Sequence, residues 1–369
     1  MKKAVVFLQR RAHRAGAQTC LLRLLRQPAL RALNPVVVTA ARGWLAGECE
    51  RAAIAYLVEK FPSSRSLSGR LLRNALFARR IARRLEAMQI EPVLVHGNDF
   101  LEGLLTRELG KRLQVRTALF LRSAPMTRGD FDKYRCADAD LVVAVGDELQ
   151  QRAGGWAPGK SIALIHDGME AEDFLPPKPP PPAFPAKILV IGSPLEAKGW
   201  ADAAAAFREL QGNPAFPHVS LSFTGSQPGN VPLQGLHATF LAREENFRDL
   251  ARRFDLAINP SWMESFGMAA MEVLAAGVPL LSTRTGVIDQ VVSDERYLVK
   301  PRDAGEMRDK LRALAAGWPE SALDVAECQR RIRERFLIER SARKLAQAYA
   351  ELLPRQHRPE SLADPRLAE

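Results

Sequence analysis

The stretch Pro260-Ser261-Trp262-Met263-Glu264-Ser265-Phe266-Gly267 precedes a run of good helix formers, Met268 to Ala276, which is closed by Gly277 and Pro279. This pattern predicts a helix of about ten residues that begins after Gly267. The first amides of a helix lack partners, and the peptide dipoles add about half a positive charge there. We therefore predict a phosphate-binding loop at the start of this helix.

Two acids accompany this loop. Glu264 lies before the helix start, and Glu272 lies within the helix among Ala, Met, Val and Leu residues. An unpaired carboxylate in such surroundings is costly if it is buried, so Glu272 is expected to meet a ligand rich in hydroxyl groups. The alternative is that both are ordinary acids near a helix start, stabilised by the dipole by about 0.3–1 kcal/mol each.

With the segments 276–282 and 285–289 that follow, the chain resembles the retaining glycosyltransferases of family 4, which carry two glutamates separated by seven residues after a Pro-Ser pair. The resemblance implies an α/β fold of the GT-B type, with two facing Rossmann-like domains and a central cleft. It also implies that Glu264 and the backbone from Ser265 to Met268 face the donor sugar and pyrophosphate. These backbone positions are Ser265, Phe266, Gly267 and Met268. Glu272 would accept hydrogen bonds from the nucleotide ribose.

A second loop, residues 192–199, also matches a sequence pattern of this family. Family members show Gly-Arg-Leu, three residues, then Lys-Gly; here Gly192, Lys198 and Gly199 match, while Ser193 stands in place of the arginine. The resemblance implies that Gly192 and Ser193 contact the donor and that Lys198 neutralises the departing diphosphate. Arg284 or Arg122 could replace the missing arginine, or the catalyst could be weaker.

The N-terminal half holds further candidates. Gly16, within Arg14 to Gln18, resembles the glycine loop that lets the backbone approach the donor. His96 matches the start of a family segment with histidine, so we assign it a catalytic contact; a hydrogen-bonded core histidine is the other interpretation. Asn98 and Asp99 are further contacts for the acceptor or the sugar.

Short apolar runs alternate with helical stretches along the whole chain, as expected for parallel sheets. The proline-rich segment 175–186 cannot continue a helix or a central strand, so it is predicted to be a linker. We expect an acceptor-binding domain at 1–174 and a nucleotide-sugar domain at 187–340. A C-terminal helix within 341–369 is expected to pack back on the first domain. The predicted strands are 4–8, 36–39, 92–95, 117–121, 141–145, 162–165, 187–191, 219–224, 238–241, 256–259, 278–282 and 296–299.

Length and composition fit two domains, because 369 residues with 47% hydrophobic content exceed what one core usually covers. The four cysteines show no metal-ligand spacing or disulfide framework, so we expect the protein to work in the reducing cytoplasm. The apolar run Ala4 to Leu8 is too short for a signal peptide, and no stretch reaches the length of a membrane span. Asp138 and Asp140 lie at a strand start and are interpreted as structural, so we expect no metal.

Positive charge is concentrated at the N-terminal end. The first 100 residues contain 18 Lys and Arg against 6 Asp and Glu, whereas the whole chain carries +11. Between Arg65 and Arg84 no acid occurs, and Leu67, Leu71, Ala75, Ala78, Ile81, Ala82 and Leu85 recur at helical spacing. Such a basic amphipathic helix favours binding to an anionic membrane surface, with a solvated helix face as the alternative. Nucleic acid is disfavoured because no recognised motif and no interleaved aromatics are present.

Together these features predict a retaining glycosyltransferase that moves a hexose from a UDP- or GDP-sugar to a glycan or glycolipid. It would work without a cofactor or metal, in the cytoplasm or peripherally at the inner face of the membrane. Cell-surface polysaccharide or lipopolysaccharide synthesis is the expected setting. The alternative is a catalytically silent GT-B protein that binds nucleotide sugar or glycan.

Overall fold

A computed structural model describes residues 1–62, 67–210, 216, 219–225, 235–241 and 246–354, with the side chains of 67–71 left out. The strands of this part are β1 (Lys2–Gln9), β2 (Val36–Thr39), β3 (Ala55–Val58), β4 (Ile90–Gly97), β5 (Arg116–Leu121), β6 (Leu141–Ala144), β7 (Ile162–Leu164), β8 (Lys187–Val190), β9 (Ser220–Thr224), β10 (Ala238–Leu241), β11 (Leu256–Asn259), β12 (Leu280–Thr283) and β13 (Leu298–Val299).

Helices alternate with these strands. Those of the described residues are α1 (Gly16–Arg26), α2 (Pro28–Arg31), α3 (Trp44–Arg51), α4 (Leu67–Ala87), α5 (Gly103–Leu113), α6 (Arg128–Lys133), α7 (Asp147–Trp156), α8 (Trp200–Leu210), α9 (Phe247–Ala251), α10 (Met268–Ala275), α11 (Ala304–Ala316), α12 (Val325–Arg335) and α13 (Ile338–Leu352).

The chain forms two compact units, residues 1–168 with 338–369, and residues 169–337. The sheet of the first unit has the order β3-β2-β1-β4-β5-β6-β7, and that of the second has β10-β9-β8-β11-β12-β13. Neighbouring strands run parallel in both sheets. In each sheet the strand order reverses beside the first strand, at β1/β4 and at β8/β11, and ligands of such sheets bind at the carboxyl ends next to this point.

Both cores follow from the apolar strands. Residues Ile188, Leu189 and Val190 of β8 are fully buried, and so are Val5, Val6 and Phe7 of β1. Buried residues from the helices cover both faces of each sheet. In the first unit, α13 packs on α1 and α2 and buries Ile338, Leu345 and Tyr349 there.

The proline-rich segment 175–186 belongs to the second unit, where the Leu175 N–H donates to the Ala275 carbonyl at 2.9 Å. The Lys178 ammonium donates to the Phe254 carbonyl at 2.6 Å and contacts the Asp255 carboxylate at 3.0 Å. Proline therefore ends the regular structure here without separating the units. The chain crosses between units at 168/169 and 337/338.

Candidate donor site

Lys198 and Glu264 meet in the second unit, on loops that leave the carboxyl ends of the neighbouring strands β8 and β11. Lys198 ends a short 3-10 helix, Glu196–Lys198, and its ammonium nitrogen lies 2.5 Å from Glu264 Oε1. Their side chains are 24% and 19% exposed, so the pair is partly open to solvent. The structure thus brings together two residues that are 66 positions apart in the sequence.

Glycines allow these loops to approach each other closely. Gly199 has φ +65°, and a Cβ there would lie 1.9 Å from the Pro260 carbonyl oxygen. Gly286 has φ +64°, and a Cβ would lie 2.3 Å from the Phe266 carbonyl oxygen. Gly192, with φ +132°, packs against Lys198, and its carbonyl accepts from the Thr224 hydroxyl at 2.7 Å. The loops after β8, β11 and β12 therefore form one packed group.

The helix predicted after Gly267 is present as α10, which begins at Met268 and ends one residue earlier than expected. Its N-cap Gly267 has φ +95° and provides no side-chain hydrogen bond to the first turn. Ser265 and Met268 are half-buried. Phe266 is buried edge-on against Phe336 with ring centroids 5.4 Å apart, so only its backbone can face a ligand.

Glu272 lies one helical turn beyond Met268 and is half-buried. Its position on α10 places it on the same side of the helix as the residue that opens the helix. An anion at the helix start and a hydroxyl group one turn further along are compatible with this arrangement.

The two arginines suggested as replacements at Ser193 are engaged elsewhere. Arg284 contacts Asp289 at 2.7 Å and also pairs with Glu295. Arg122 lies in the first unit, where it is buried and paired with Asp167. Both guanidinium groups therefore pair with carboxylates, as Lys198 does, and their role as a replacement stays a prediction. Lys198 is the cation that the described part of the chain places beside Glu264.

Sequence reasoning missed Trp262, although it lies within the decisive stretch. Its indole N–H donates to Asp202 Oδ2 at 2.6 Å, and its backbone N–H donates to the Ala197 carbonyl at 2.8 Å. The Arg302 guanidinium stands 4.4 Å from its ring centroid. The sequence around Asp202 and Arg302 does not predict their contacts with Trp262, because only the fold brings these residues together.

His96 occupies a core position in the first unit. It is fully buried at the end of β4, between Phe7 and Phe120, and its Nδ1 hydrogen-bonds the Tyr349 hydroxyl. Burial first, and then the nearby Arg122 charge, lower the pKa of His96 well below its usual value. None of the ring is exposed, and its Nε2 has no hydrogen-bond partner. These contacts fit the core interpretation, and the catalytic contact of His96 stays a prediction.

A polar group lies at the carboxyl edge of the first sheet. Glu102 is 2% exposed; its Oε1 accepts from the Arg10 backbone N–H at 3.1 Å, and its Oε2 has no hydrogen-bond partner. Arg10 Nε and Thr39 Oγ1 are likewise buried without a hydrogen-bond partner. Burial and the Asp99 charge raise the pKa of Glu102 to about 8. Buried polar atoms without partners are uncommon and mark a place where a ligand or water can bind.

The other predicted contacts in this unit are less informative. Gly16 opens α1, and a Cβ there would meet nothing within 4 Å, so the space beside it is open. Asn98 is buried and donates to Gln9 Oε1 at 2.5 Å and to the Ala17 carbonyl at 3.1 Å. Asp99 accepts from the Ser123 hydroxyl at 2.9 Å and the Phe100 N–H at 2.8 Å. These hydrogen bonds hold the strand ends together.

Among the described residues, no group of three or more His, Cys, Asp or Glu side chains is placed to hold a metal ion. In the same part of the chain, no helix is long and apolar enough to cross a bilayer.

Two α/β units, each built on a parallel sheet, are the architecture of the GT-B fold. A sequence model of the family described as "Family 4 Glycosyltransferase in conflict systems" matches residues 127–358. The chain belongs to this family of glycosyltransferases. The resemblance inferred from the 260–272 region is thereby confirmed.

Individual relatives agree with this assignment. The chain is 25% identical, over 281 residues, to the lipopolysaccharide core biosynthesis mannosyltransferase LpsB of Rhizobium meliloti (strain 1021), covering 69% of this chain and 77% of that protein. It is 28% identical over 238 residues to glycogen synthase of Mycobacterium tuberculosis (strain ATCC 25618 / H37Rv), covering 61% of this chain and 55% of the synthase. The crystal structure of Anabaena HepE in complex with UDP and glucose superposes with a TM-score of 0.76 at 15% identity, over 94% of this chain and 99% of HepE.

Proposed function

We propose that the protein transfers a hexose, with retention at the anomeric carbon, from a UDP- or GDP-sugar to a glycan or glycolipid. The observation that supports this best is the Lys198–Glu264 pair beside the start of α10. A nucleoside diphosphate needs positive charge at its phosphates and hydrogen-bond acceptors at its ribose. The second unit offers Lys198 and the helix amides for the first need, and Glu272 for the second.

In this proposal the diphosphate binds at the open first turn of α10, where Gly267 leaves the amides uncapped by a side chain. The Lys198 ammonium then stabilises the negative charge that builds on the leaving group. Glu264 faces the donor sugar. The reaction is a displacement on one face of the sugar, in which the departing diphosphate accepts the proton of the acceptor hydroxyl.

The first unit is proposed to bind the acceptor at the carboxyl edge of its sheet. Arg10, Thr39 and Glu102 follow or end the neighbouring strands β1, β2 and β4, and each carries a buried polar atom without a hydrogen-bond partner. Leaving such atoms unsatisfied costs about 1–3 kcal/mol each. The hydroxyl groups of a sugar both donate and accept, so a sugar has the chemistry to hydrogen-bond groups of these types.

For the membrane, we propose that α4 binds an anionic bilayer surface. Leu72 and Leu76 are 64% and 43% exposed, and Arg79 and Arg83 continue the same side of the helix at spacings of three and four. Arg80 and Arg84 instead pair with Glu59.

Part of the predicted basic helix lies outside the residues that the structure describes. Arg65 falls outside the described residues, and so do the side chains of Leu67, Arg70 and Leu71. Of the predicted apolar side, Ala78, Ile81 and Leu85 are buried, whereas Ala75 is exposed. The exposed stripe therefore differs from the buried apolar face, and combines apolar and basic groups as interfacial helices do.

The membrane proposal is tested with vesicles. Replacing Arg79 and Arg83 with Glu should abolish co-sedimentation with phosphatidylglycerol vesicles. Replacing Arg340 and Arg343, which are exposed on α13, makes the same charge change elsewhere and should leave binding largely intact. Equal losses in the two double variants would show that net charge alone is responsible.

One observation favours a silent binding protein as the second candidate: Ser193 stands where the family carries an arginine, and both Arg284 and Arg122 are paired with carboxylates. A silent protein would bind the nucleotide sugar without releasing the nucleoside diphosphate.

The deciding experiment combines donor binding and turnover. UDP-, GDP- and ADP-sugars are screened by thermal shift, and release of the nucleoside diphosphate is then measured with glycan and glycolipid acceptors. Lys198→Ala should lower turnover more than donor affinity, and Glu272→Ala should abolish donor binding. Lys187→Ala, an exposed lysine at the amino end of β8, should change neither. Unchanged nucleotide affinity in Glu272→Ala would refute the ribose contact, and binding without any turnover would favour the silent protein.

A further inference from the structure

Trp262 connects the two loops that carry Lys198 and Glu264. Its backbone N–H donates to the Ala197 carbonyl at 2.8 Å, and Ala197 immediately precedes Lys198. Its indole N–H donates to Asp202 Oδ2 at 2.6 Å, and Asp202 lies in the first turn of α8, which follows the lysine. The hydrogen bonds of one residue therefore bracket Lys198 on both sides.

The same residue is fixed with respect to Glu264. Trp262 and Glu264 are separated by a single residue of the loop after β11. At the start of this loop, Pro260 packs against Gly199, where a Cβ would lie 1.9 Å from the Pro260 carbonyl oxygen. Arg302, from the loop after β13, covers the indole ring at 4.4 Å. The ring is thus held by two elements in addition to its own loop.

From these contacts we propose that Trp262 is a positioning residue for the transfer reaction, which acts by fixing Lys198 and Glu264 relative to each other. This inference rests on the proposed function of the two residues. It does not require Trp262 to touch the donor. The charged hydrogen bond to Asp202 is the contact that tryptophan makes here and that phenylalanine could not make.

The reason for a kinetic effect is geometric. Stabilisation of a leaving group depends on the distance between the cation and the oxygen on which charge develops, and a misplacement of about 1 Å can cost about a hundredfold in rate. A lost indole hydrogen bond leaves the backbone bond to Ala197 in place, so the displacement should be smaller. We expect turnover to fall by about tenfold in Trp262→Phe, with donor affinity changed less than about twofold.

A double-variant cycle tests the mechanism. Trp262→Phe removes the indole N–H and keeps an aromatic ring, and it is combined with Lys198→Ala. If Trp262 acts through Lys198, the tenfold loss occurs in the unaltered protein but is absent in the Lys198→Ala background. The same loss in both backgrounds would overturn the proposal. Asp202→Ala should reproduce the defect, and combining it with Trp262→Phe should add nothing.

Trp318 provides the matched control. Its indole N–H also bonds within the second unit, to the Pro181 carbonyl at 2.8 Å, so Trp318→Phe makes the same chemical change outside the loop group. It should leave turnover unchanged. A tenfold loss in Trp318→Phe would show that general loosening of the unit explains the effect, and would overturn the assignment.

Hydrogen exchange without ligand separates this inference from the proposed function. Trp262→Phe should increase amide exchange in both 193–199 and 260–266, and Trp318→Phe should not. Unchanged exchange in both segments would overturn the positioning role of Trp262, even if the protein transfers sugar. If the unaltered protein transfers nothing while Trp262→Phe still loosens both segments, then the proposed function fails and the structural coupling stands.

Discussion

Gly199 lies directly against the Pro260 carbonyl, so that a Cβ on Gly199 would stand 1.9 Å from the oxygen. Gly199 also has φ +65°, in the left-handed region. In Gly199→Ala the left-handed backbone conformation costs about 1–2 kcal/mol. In addition, the new Cβ displaces the loop after β11 from the turn that carries Lys198. We expect a total loss of about 2–4 kcal/mol in stability, with weaker donor binding, measured by urea unfolding and calorimetry.

Gly159 is the control for the conformational part of this loss. It has φ +86°, and a Cβ there would meet nothing within 4 Å. Gly159→Ala should cost about 1–2 kcal/mol and leave donor binding unchanged. If the two variants lose the same amount of stability, the close approach of Gly199 to Pro260 contributes nothing.

Glu264→Gln tests how the carboxylate affects the charge of the donor site. Glu264 Oε1 lies 2.5 Å from the Lys198 ammonium, so in the free protein the two charges largely cancel. Removing the negative charge should increase affinity for a free nucleoside diphosphate by about threefold, since the pair is partly exposed and its coupling is modest. Transfer should slow by about tenfold or more, because the sugar loses its carboxylate contact.

Glu196→Gln makes the same charge change two residues before Lys198, at an exposed position of the same turn. It should leave both nucleotide affinity and transfer unchanged. A decrease of nucleotide affinity in Glu264→Gln would contradict the expected charge balance, and would show that the carboxylate itself contacts the nucleotide.

The sheets and the α10 region were predictable because their signals are local. Continuous apolar runs predicted every strand except β3, and α8 has the bounds expected, Trp200–Leu210. The missed strand, Ala55–Val58, lies at the edge of its sheet, and Leu57 is its only buried residue. Half-exposed edge strands lack the apolar continuity of central strands, so composition alone does not distinguish them from loops.

Contacts between distant loops could not be predicted in the same way. The sequence indicates Lys198 and Glu264 separately, but the partners of Trp262, namely Asp202 and Arg302, are brought to it only by parallel pairing of strands far apart in the chain. The environment of His96 shows the same limit. Its strand-end position fits a catalyst or a core residue, and only the fold shows its burial against Phe7, Phe120 and Tyr349.

Tyr349→Phe tests the core assignment of His96. The Tyr349 hydroxyl bonds His96 Nδ1 within a fully buried cluster, so its removal leaves a buried ring nitrogen without this partner. We expect a stability loss of about 1–3 kcal/mol with unchanged turnover of the folded protein. Tyr56→Phe, which removes an exposed hydroxyl bond to Glu50, should have little effect on either. A large decrease in turnover with little loss of stability in Tyr349→Phe would support His96 as a catalytic residue and contradict the core assignment.

The last prediction concerns Glu102, whose burial beside Asp99 raises its pKa from 4.5 to about 8. Between these two pH values the unfolded chain loses the proton while the folded protein keeps it. Stability therefore falls as pH rises through this window, by up to about 1.4 kcal/mol per pH unit, and becomes level above it. Glu102→Gln stays neutral throughout and should lose this slope.

The measurement is the difference in unfolding free energy between the two proteins from pH 5 to pH 9. His96, whose pKa burial lowers, titrates in both proteins, so to first order its contribution cancels in the difference. Asp99 is coupled to Glu102, so the difference reports the titration of the two carboxyl groups together. Relative to the unaltered protein, Glu102→Gln should gain stability steadily up to about pH 8 and no further. Parallel stability curves would mean that Glu102 is ionised in the folded protein, and its Oε2 would then need a cationic or hydrogen-bond-donating partner.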